Sequence, residues 1–162
     1  MPQTDSPRLV VATSNKGKLR EIRELLEPTG WTALSLAEVV APAGVIETGR
    51  SYLENAVAKA VSVANTTGLP ALADDSGLEV DALGGRPGVT SARYGGPLLS
   101  DAGRCAHLLR DLRGVPRARR RARFRAVVVL ALPGGQQFVR EGVLEGRITE
   151  VERGSNGFGY DP

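Results

Sequence analysis

A short apolar stretch that stops at two adjacent carboxylates is the feature that most constrains this chain. The uncharged residues 70–73 lead directly into Asp74 and Asp75. The Ser-Gly pair that follows is typical of turns, and residues 78–81 alternate in polarity, so the pattern predicts two strands joined by an acidic turn. Because adjacent side chains on a strand point to opposite faces, both carboxylates reach one ligand only if the strand ends between them.

Two interpretations of this stretch remain open from its residues alone. A carboxylate pair at a strand end suits a hard cation such as magnesium, which takes one or two carboxylates and completes its shell with water and phosphate oxygens. The same residues also form ordinary acidic hairpin turns. Residues elsewhere in the chain are needed to distinguish a metal site from a turn.

A polar loop follows the first predicted strand, residues 8–12, which is apolar and typical of a buried parallel sheet. The loop consists of Thr13, Ser14, Asn15, Lys16, Gly17 and Lys18. Apolar residues at helical spacing follow, and Pro28 and Gly30 predict the end of that helix. The free N–H groups at the helix start, together with a lysine, predict an anion site. The glycine spacing excludes a Walker A loop, and the alternative is an N-capped helix with solvated lysines.

A second helix is predicted to start at Ser51, which forms a capping-box pattern with Glu54, and to run to about residue 65. Asn55 and Lys59 lie four residues apart, so they share one helix face and are placed to reach a ligand together. The alternative is that both side chains simply face solvent. Upstream, Glu47 adds another carboxylate at the end of an apolar pair.

Three other features carry weaker signals. Ser100 predicts the cap of a third helix, whose apolar stripe includes Cys105, so this thiol is expected in the core; His107 lies off the stripe and is expected at the surface. Residues 117–125 hold six arginines. Nucleic-acid binding would need aromatic residues among them beyond Phe124, so a solvated loop leading into a strand is expected.

The remaining pattern predicts mostly strands. Residues 124–132 are the most hydrophobic stretch and predict a central strand, and residues 137–148 predict two antiparallel strands with bulges at Gly142 and Gly146. The order of elements predicts an α/β or α+β fold with a mixed sheet. With no linker or repeat, a single domain spanning residues 1–162 is expected.

Composition limits the cellular setting. Cys105 is the only cysteine among 162 residues, so no internal disulfide forms. No apolar run reaches the ~18 residues of a membrane span, and the polar start is unlike a signal peptide. We therefore expect a cytoplasmic protein with no membrane partner. The net charge of +3 suits an anionic ligand without calling for nucleic acid.

Four blocks together show a resemblance to the inosine triphosphate pyrophosphatase family, whose members hydrolyse non-standard purine nucleoside triphosphates. The resemblance covers nearly every segment from Leu9 to Pro162. The blocks are Thr13-Ser14-Asn15-Lys16-Gly17-Lys18; Glu47-Thr48-Gly49 with Glu54-Asn55-Ala56 and Lys59-Ala60; Ala73-Asp74-Asp75-Ser76-Gly77-Leu78 continuing to Ser91-Ala92-Arg93-Tyr94; and Gly157-Phe158-Gly159-Tyr160-Asp161-Pro162.

The resemblance implies a function for most of these residues. It implies that the 13–18 loop and Lys59 hold the triphosphate, that Glu47 and Asp75 bind magnesium, and that Asp75 is the general base for the attacking water. Ser76 would contact substrate; the base would be lined by Phe158, Gly159, Tyr160 and Asp161, with the Phe158 ring stacked on the purine. The implied products are nucleoside monophosphate and pyrophosphate. The implied fold is an elongated mixed sheet flanked by helices with a cleft between two lobes, commonly as a homodimer.

One departure from the family and three alternatives complete the expectations. Family members continue beyond the last block into a segment with a lysine and a Ser-His-Arg motif that grip the base, whereas this sequence stops at Pro162. We therefore expect an intact phosphate and metal half with weakened purine selectivity. The alternatives are a truncated, weakly active or inactive nucleotide-binding module, a septum-inhibitor type of nucleotide pyrophosphatase, and a nucleic-acid-binding protein that uses residues 117–125.

Overall fold

A computed structural model describes residues 6–41 and 50–162 and contains one five-stranded sheet in these residues. The strands are β1 (Arg8–Val11), β2 (Thr32–Ser35), β3 (Ala71–Val80), β4 (Arg121–Ala131) and β5 (Gln137–Arg147). Their order in the sheet is β2-β1-β3-β4-β5, and β1 pairs in parallel with both β2 and β3. The helices are α1 (Lys16–Leu26), α2 (Tyr52–Thr67) and α3 (Asp101–Asp111). The predicted α/β class with a mixed sheet is confirmed.

The chain divides into two compact units. Unit 1 comprises residues 1–75 and 127–140, and unit 2 comprises residues 76–126 and 141–162. The prediction of a single domain stays a prediction. No helix in the described part of the chain is long and apolar enough to cross a membrane.

The core of unit 1 forms around β1, where Val10 and Val11 are fully buried. The side chain of Asn15 caps α1, which ends at Leu26 before a turn of 3-10 helix that contains Pro28, close to the predicted end. Ser51 caps α2 as predicted, because its hydroxyl accepts from the Glu54 N–H at 3.2 Å. Glu54 does not close the capping box, however, since its carboxylate accepts from the Arg50 N–H instead.

The predicted acidic hairpin at residues 76–77 is wrong, because β3 continues through Ser76 and Gly77 as one ten-residue strand. β3 lies at the centre of the sheet, with a strand on either side. The strand's later residues are also deeply buried, as Leu78 is 3% exposed and Val80 is fully buried. Pairing on both edges and burial on the faces outweigh the local turn preference of a Ser-Gly pair.

Unit 2 is built around an apolar cluster between its part of β3 and α3. Leu78 and Val80 of β3 pack with Leu108 and Leu112, which lie at the end of α3. Ser100 caps α3, and Cys105 is buried at 7% exposure, so both predictions for this helix are confirmed.

The hydrophobic strand β4 is an interior strand of the sheet, as predicted, because β3 and β5 flank it. Two other expectations for this half of the chain are corrected. The two predicted strands between residues 137 and 148 are a single strand, β5, since neither Gly142 nor Gly146 interrupts it. His107 is only partly exposed, because its ring packs edge-on against the Tyr94 ring with centroids 5.0 Å apart.

Three of the six arginines in residues 117–125 have structural contacts, whereas Arg117, Arg119 and Arg121 are exposed. Arg120 is 6% exposed, and its guanidinium donates to the backbone carbonyls of Leu112, Val115 and Thr149. Arg123 bridges carboxylates of β3 and β5, and Arg125 contacts Glu79 and Glu141. Arg120, Arg123 and Arg125 are therefore not free to bind phosphates, and the stretch leads into a strand as predicted.

Candidate active site

The two carboxylates of β3 are buried side by side in unit 1, where Asp74 is 9% and Asp75 is 7% exposed. They contact different helices, as expected for neighbours on an unbroken strand. Asp74 forms an ion pair with Lys18 of α1, with Nζ and Oδ2 2.5 Å apart. Asp75 accepts a hydrogen bond from the Asn55 side chain of α2 at 2.9 Å. The strand therefore presents one carboxylate to each helix.

Lys59 connects the two carboxylate residues. Its Nζ donates to the backbone carbonyl of Asp74 at 2.5 Å and lies 3.7 Å from Oδ1 of Asp75. The i, i+4 spacing places Asn55 and Lys59 one turn apart on α2, so both reach the same strand. Both side chains contact the two aspartates instead of facing solvent, and the prediction that they reach a ligand together stays a prediction.

The second oxygen of Asp74 is an unusual polar atom. Asp74 Oδ1 is buried and has no hydrogen-bond partner within residues 6–41 and 50–162. An unpartnered buried carboxylate oxygen is costly, and such an oxygen is also what a cation requires. No group of three or more His, Cys, Asp or Glu side chains suited to a metal occurs in the described residues. A metal that needs few protein ligands, such as magnesium, fits this donor set better than zinc does.

The 13–18 loop is ordered by its own side chains. Thr13 Oγ1 accepts from the Asn15 N–H at 3.1 Å, and Asn15 Oδ1 accepts from the N–H groups of Gly17 and Lys18. The prediction of free N–H groups at this helix start therefore needs correction, because Asn15 caps two of them. With its oxygen engaged, the amide nitrogen of Asn15 is the group left to donate to an anion. Ser14 and Lys16 are exposed.

The predicted base-lining residues form a turn in unit 2, here called the recognition turn and defined as residues 157–161. The Phe158 N–H donates to Oδ2 of Asp161 at 2.9 Å, and the Asp161 N–H donates to the Phe158 carbonyl at 3.2 Å. A methyl group at Gly157 would lie 2.1 Å from the same Asp161 oxygen, so this position requires glycine. The Asp161 carboxylate is thus used within the turn, which the sequence did not predict.

The structure describes all but one of the predicted site residues. Lys18, Lys59 and Asp75 come together in unit 1, with Asp74 as a further member. Glu47 lies outside the described residues. Ser76 is half-buried at the start of unit 2. The sequence singled out Asn55 only as a possible ligand contact, whereas its amide holds the Asp75 carboxylate.

Comparison with known proteins identifies the family. A model described as the Ham1 family matches residues 9–162. The chain belongs to the Ham1 family. Among curated members, a protein from Thermus thermophilus named dITP/XTP pyrophosphatase is 54% identical over 155 residues, covering 96% of this chain and 74% of its own length. A protein of the same name from Geobacter sulfurreducens is 53% identical and covers 96% of this chain and 78% of its own.

Solved Ham1 structures confirm the fold of the Ham1 chain described here. A HAM1 protein from Coxiella burnetii superposes with a TM-score of 0.85 at 41% identity, over 96% of this chain and 80% of that one. A nucleoside-triphosphatase, or dITP/XTP pyrophosphatase, from Mycobacterium abscessus gives a TM-score of 0.77 at 43% identity, over 96% and 79%. These matches confirm the resemblance inferred from the four blocks and disfavour the septum-inhibitor alternative.

Proposed function

We propose that this chain hydrolyses non-standard purine nucleoside triphosphates, such as dITP, XTP and ITP, to nucleoside monophosphate and pyrophosphate. The names of its relatives support the substrate class. The observation that carries the proposal is the buried pair Asp74 and Asp75 beside Lys18 and Lys59. Carboxylates that activate water next to cations that neutralise phosphate oxygens are what phosphoanhydride hydrolysis requires.

The lysines have the simplest role in this proposal. Lys18 and Lys59 would neutralise charge that develops on the phosphate oxygens, and Thr13, Ser14, Asn15, Lys16 and Gly17 would line the triphosphate. Because Lys18 is paired with Asp74 in the free protein, its ammonium is already held in place before substrate binds. Because the Lys18 charge is already in position, the protein does not have to reorganise when the reaction occurs.

Asp75 is proposed to position and deprotonate the water that attacks the α-phosphorus. Asn55 fixes one oxygen of this carboxylate, which restricts its rotation. Ser76 is proposed to contact the substrate next to Asp75. In the recognition turn, Phe158, Gly159, Tyr160 and Asp161 are proposed to line the base, with the Phe158 ring stacked on it. Aromatic stacking tolerates different purines, so discrimination has to come from polar groups.

Magnesium is the proposed cofactor, with Glu47 and Asp75 as its protein ligands. Two carboxylates suffice for this ion, because magnesium completes its shell with water and phosphate oxygens. When bound, the ion supplies positive charge that stabilises the phosphate oxygens. We also propose a homodimer and a cytoplasmic location, which size-exclusion chromatography with light scattering and cell fractionation would test.

The deciding experiment measures pyrophosphate release from dITP, XTP, dATP and dGTP with magnesium. Wild-type protein is expected to prefer dITP and XTP. Asp75→Asn is expected to lose activity by about a hundredfold or more, because the group that activates water is removed. Asp81→Asn is the matched control, since this carboxylate pairs with Arg123 on the surface. Chelation should abolish activity, and added magnesium should restore it.

The main alternative predicts a different result. An inactive nucleotide-binding module would bind dITP, as measured by calorimetry, without releasing pyrophosphate. Asp75→Asn activity equal to that of the wild type would also contradict the proposal, because a contaminating hydrolase would then be responsible.

A further inference from the structure

Helix α3 holds both backbone polar groups of Gly159, in the middle of the recognition turn. The Gly159 N–H donates to Oδ2 of Asp101 at 3.0 Å, and the Cys105 thiol donates to the Gly159 carbonyl at 3.4 Å. Asp101 is the first residue of α3, and Cys105 lies four residues further along the same helix. Because the two peptide groups that flank the Gly159 Cα are each held, this residue cannot shift without breaking a contact to α3.

A second connection ties the same turn to β3. The Tyr160 hydroxyl donates to the Ser91 carbonyl at 2.8 Å. The Ser91 hydroxyl in turn accepts from the Leu78 N–H at 2.8 Å and donates to the Gly88 carbonyl at 2.6 Å. Burial raises the pKa of Tyr160 to about 12, so its hydroxyl remains a donor at neutral pH. The turn is therefore linked through Ser91 to Leu78, in the part of β3 that belongs to unit 2.

Of the hydrogen bonds that join the recognition turn to α3 and to Ser91, the one from Gly159 to Asp101 has a carboxylate as its acceptor. Hydrogen bonds to a carboxylate are roughly twice as strong as those between neutral groups. Arg104 orients the carboxylate, because its Nη2 lies 3.2 Å from Oδ1 of Asp101, while Oδ2 accepts from Gly159. The same guanidinium also donates to the Leu99 carbonyl. Asp101 is thus held on one side and holds the turn on the other.

The turn itself behaves as one piece. Two hydrogen bonds between Phe158 and Asp161 close it, and Gly157 leaves no room for a side chain. A turn that is rigid inside is displaced only by changes in what holds it from outside. Loss of the Asp101 contact should therefore move the whole recognition turn relative to α3, including the backbone around Phe158 and Tyr160.

We propose that Asp101 is a positioning residue for the purine base: it sets where the recognition turn lies and thereby the discrimination among bases. This inference rests on the proposed function, in which the recognition turn lines the base. Asp101 touches neither the triphosphate nor the carboxylates in this scheme. Its loss should weaken recognition of the base and leave binding of the triphosphate unchanged.

The test separates these two effects by using a ligand with a base and one without. KM and kcat are measured for dITP and dGTP, and inhibition constants are measured for inorganic tripolyphosphate. Asp101→Ala is expected to raise KM for dITP about tenfold, the worth of one charge-assisted hydrogen bond, with kcat within about twofold. The preference for dITP over dGTP should fall, and the inhibition constant of tripolyphosphate should not change.

Three further variants test the interpretation of this result. Asp111→Ala is the matched control, because this carboxylate also lies on α3 and accepts from the Tyr94 hydroxyl, away from the turn. Gly157→Ala displaces the turn directly and should show the same signature as Asp101→Ala. Asp101→Asn keeps an oxygen acceptor for Gly159 and should restore KM towards the wild-type value.

The possible outcomes separate a failure of the inference about Asp101 from a failure of the proposed function. An Asp101→Ala variant with unchanged KM and unchanged base preference would overturn the inference while leaving an active wild type in place. Lower kcat with unchanged KM would also overturn it, because that pattern reports a loss of folded protein. A wild type that releases no pyrophosphate from any nucleotide would overturn the proposed function and the inference with it.

Discussion

Asp74 and Asp75 differ in their surroundings although they are adjacent. Oδ2 of Asp74 lies 2.5 Å from the ammonium of Lys18, whereas Asp75 accepts a hydrogen bond from the amide of Asn55 and has the ammonium of Lys59 3.7 Å away. Asp74 is thus in direct contact with a cation, whereas the Asn55 amide orients Asp75 and the cation near it is more distant. On this basis we propose Asp75, and not Asp74, as the carboxylate that polarises a water molecule.

Removing the amide of Asn55 should affect the chemical step more than binding. Asn55→Ala leaves Asp75 without the hydrogen bond that fixes one of its oxygens, and we expect kcat to fall about ten- to a hundredfold with KM within about twofold. Steady-state kinetics with dITP checks this. Asn65→Ala is the control, since this residue is exposed on the same helix. A rise in KM at unchanged kcat would show instead that Asn55 contacts the substrate.

At the residue scale, the sequence could predict which side chains matter but not all that they do. Spacing was enough to place Asn55 and Lys59 on one face of α2, and the structure confirms that they reach the same strand. The cap formed by Asn15 was foreseen only as an alternative, because a side chain that binds an anion and one that caps a helix have the same composition. The use of Asp161 inside its own turn depends on backbone geometry that local sequence does not reveal.

Among the secondary-structure elements, the junction after α3 depends on one buried cation. Arg120 donates to carbonyls at the end of α3, in the following loop and beyond β5. The carbonyls at a helix C-terminus carry partial negative charge, which favours a cation there. A single side chain thus joins three separate segments of unit 2.

Arg120→Met should destabilise the protein substantially. Methionine fills a similar volume but leaves the three backbone carbonyls without this donor, so we expect a loss of about 3 kcal/mol in the free energy of unfolding. Urea denaturation followed by circular dichroism measures it. Arg121→Met is the matched control, because Arg121 is exposed, and it should change the free energy by less than about 0.5 kcal/mol. Equal effects of the two substitutions would contradict this role.

Helices and strands could be predicted from the sequence where a capping residue or regularly spaced apolar residues marked them. Asn15, Ser51 and Ser100 all cap helices close to the expected starts. The strands were harder, since Ser-Gly in β3 and two glycines in β5 are local turn or bulge signals that pairing with neighbouring strands overrides. The hydrophobicity of β4 was enough to predict an interior strand, whereas its partners β3 and β5 depend on long-range pairing that local sequence does not reveal.

For the whole molecule, stability should fall steeply in strongly alkaline solution. The pKa values of Tyr94 and Tyr160 are both raised to about 12, in each case mainly by burial. An unfolded tyrosine loses its proton near pH 10, so between about pH 10 and 12 the unfolded state binds fewer protons than the folded one. The free energy of unfolding then decreases as pH rises, and below pH 10 these two groups add no slope.

We expect a loss of about 1 kcal/mol per tyrosine between pH 10 and 12, after allowance for solvent screening of these partly exposed groups. Urea titrations at several pH values measure it. The Tyr94→Phe and Tyr160→Phe double variant should be less stable at neutral pH, because it lacks both hydroxyl contacts, but its stability should decline less with pH. The same decline in both proteins would assign the effect to other groups.

The distribution of amino groups has a practical consequence for work on this protein. The chain has 21 basic residues, of which only Lys16, Lys18 and Lys59 are lysines. Two of these three contact the buried carboxylate pair. Apart from the N-terminus, amine-directed chemistry is therefore confined to the 13–18 loop and to Lys59, which both belong to the candidate active site. Acylation followed by mass spectrometry of Lys18 and Lys59 would report nucleotide occupancy without an introduced label.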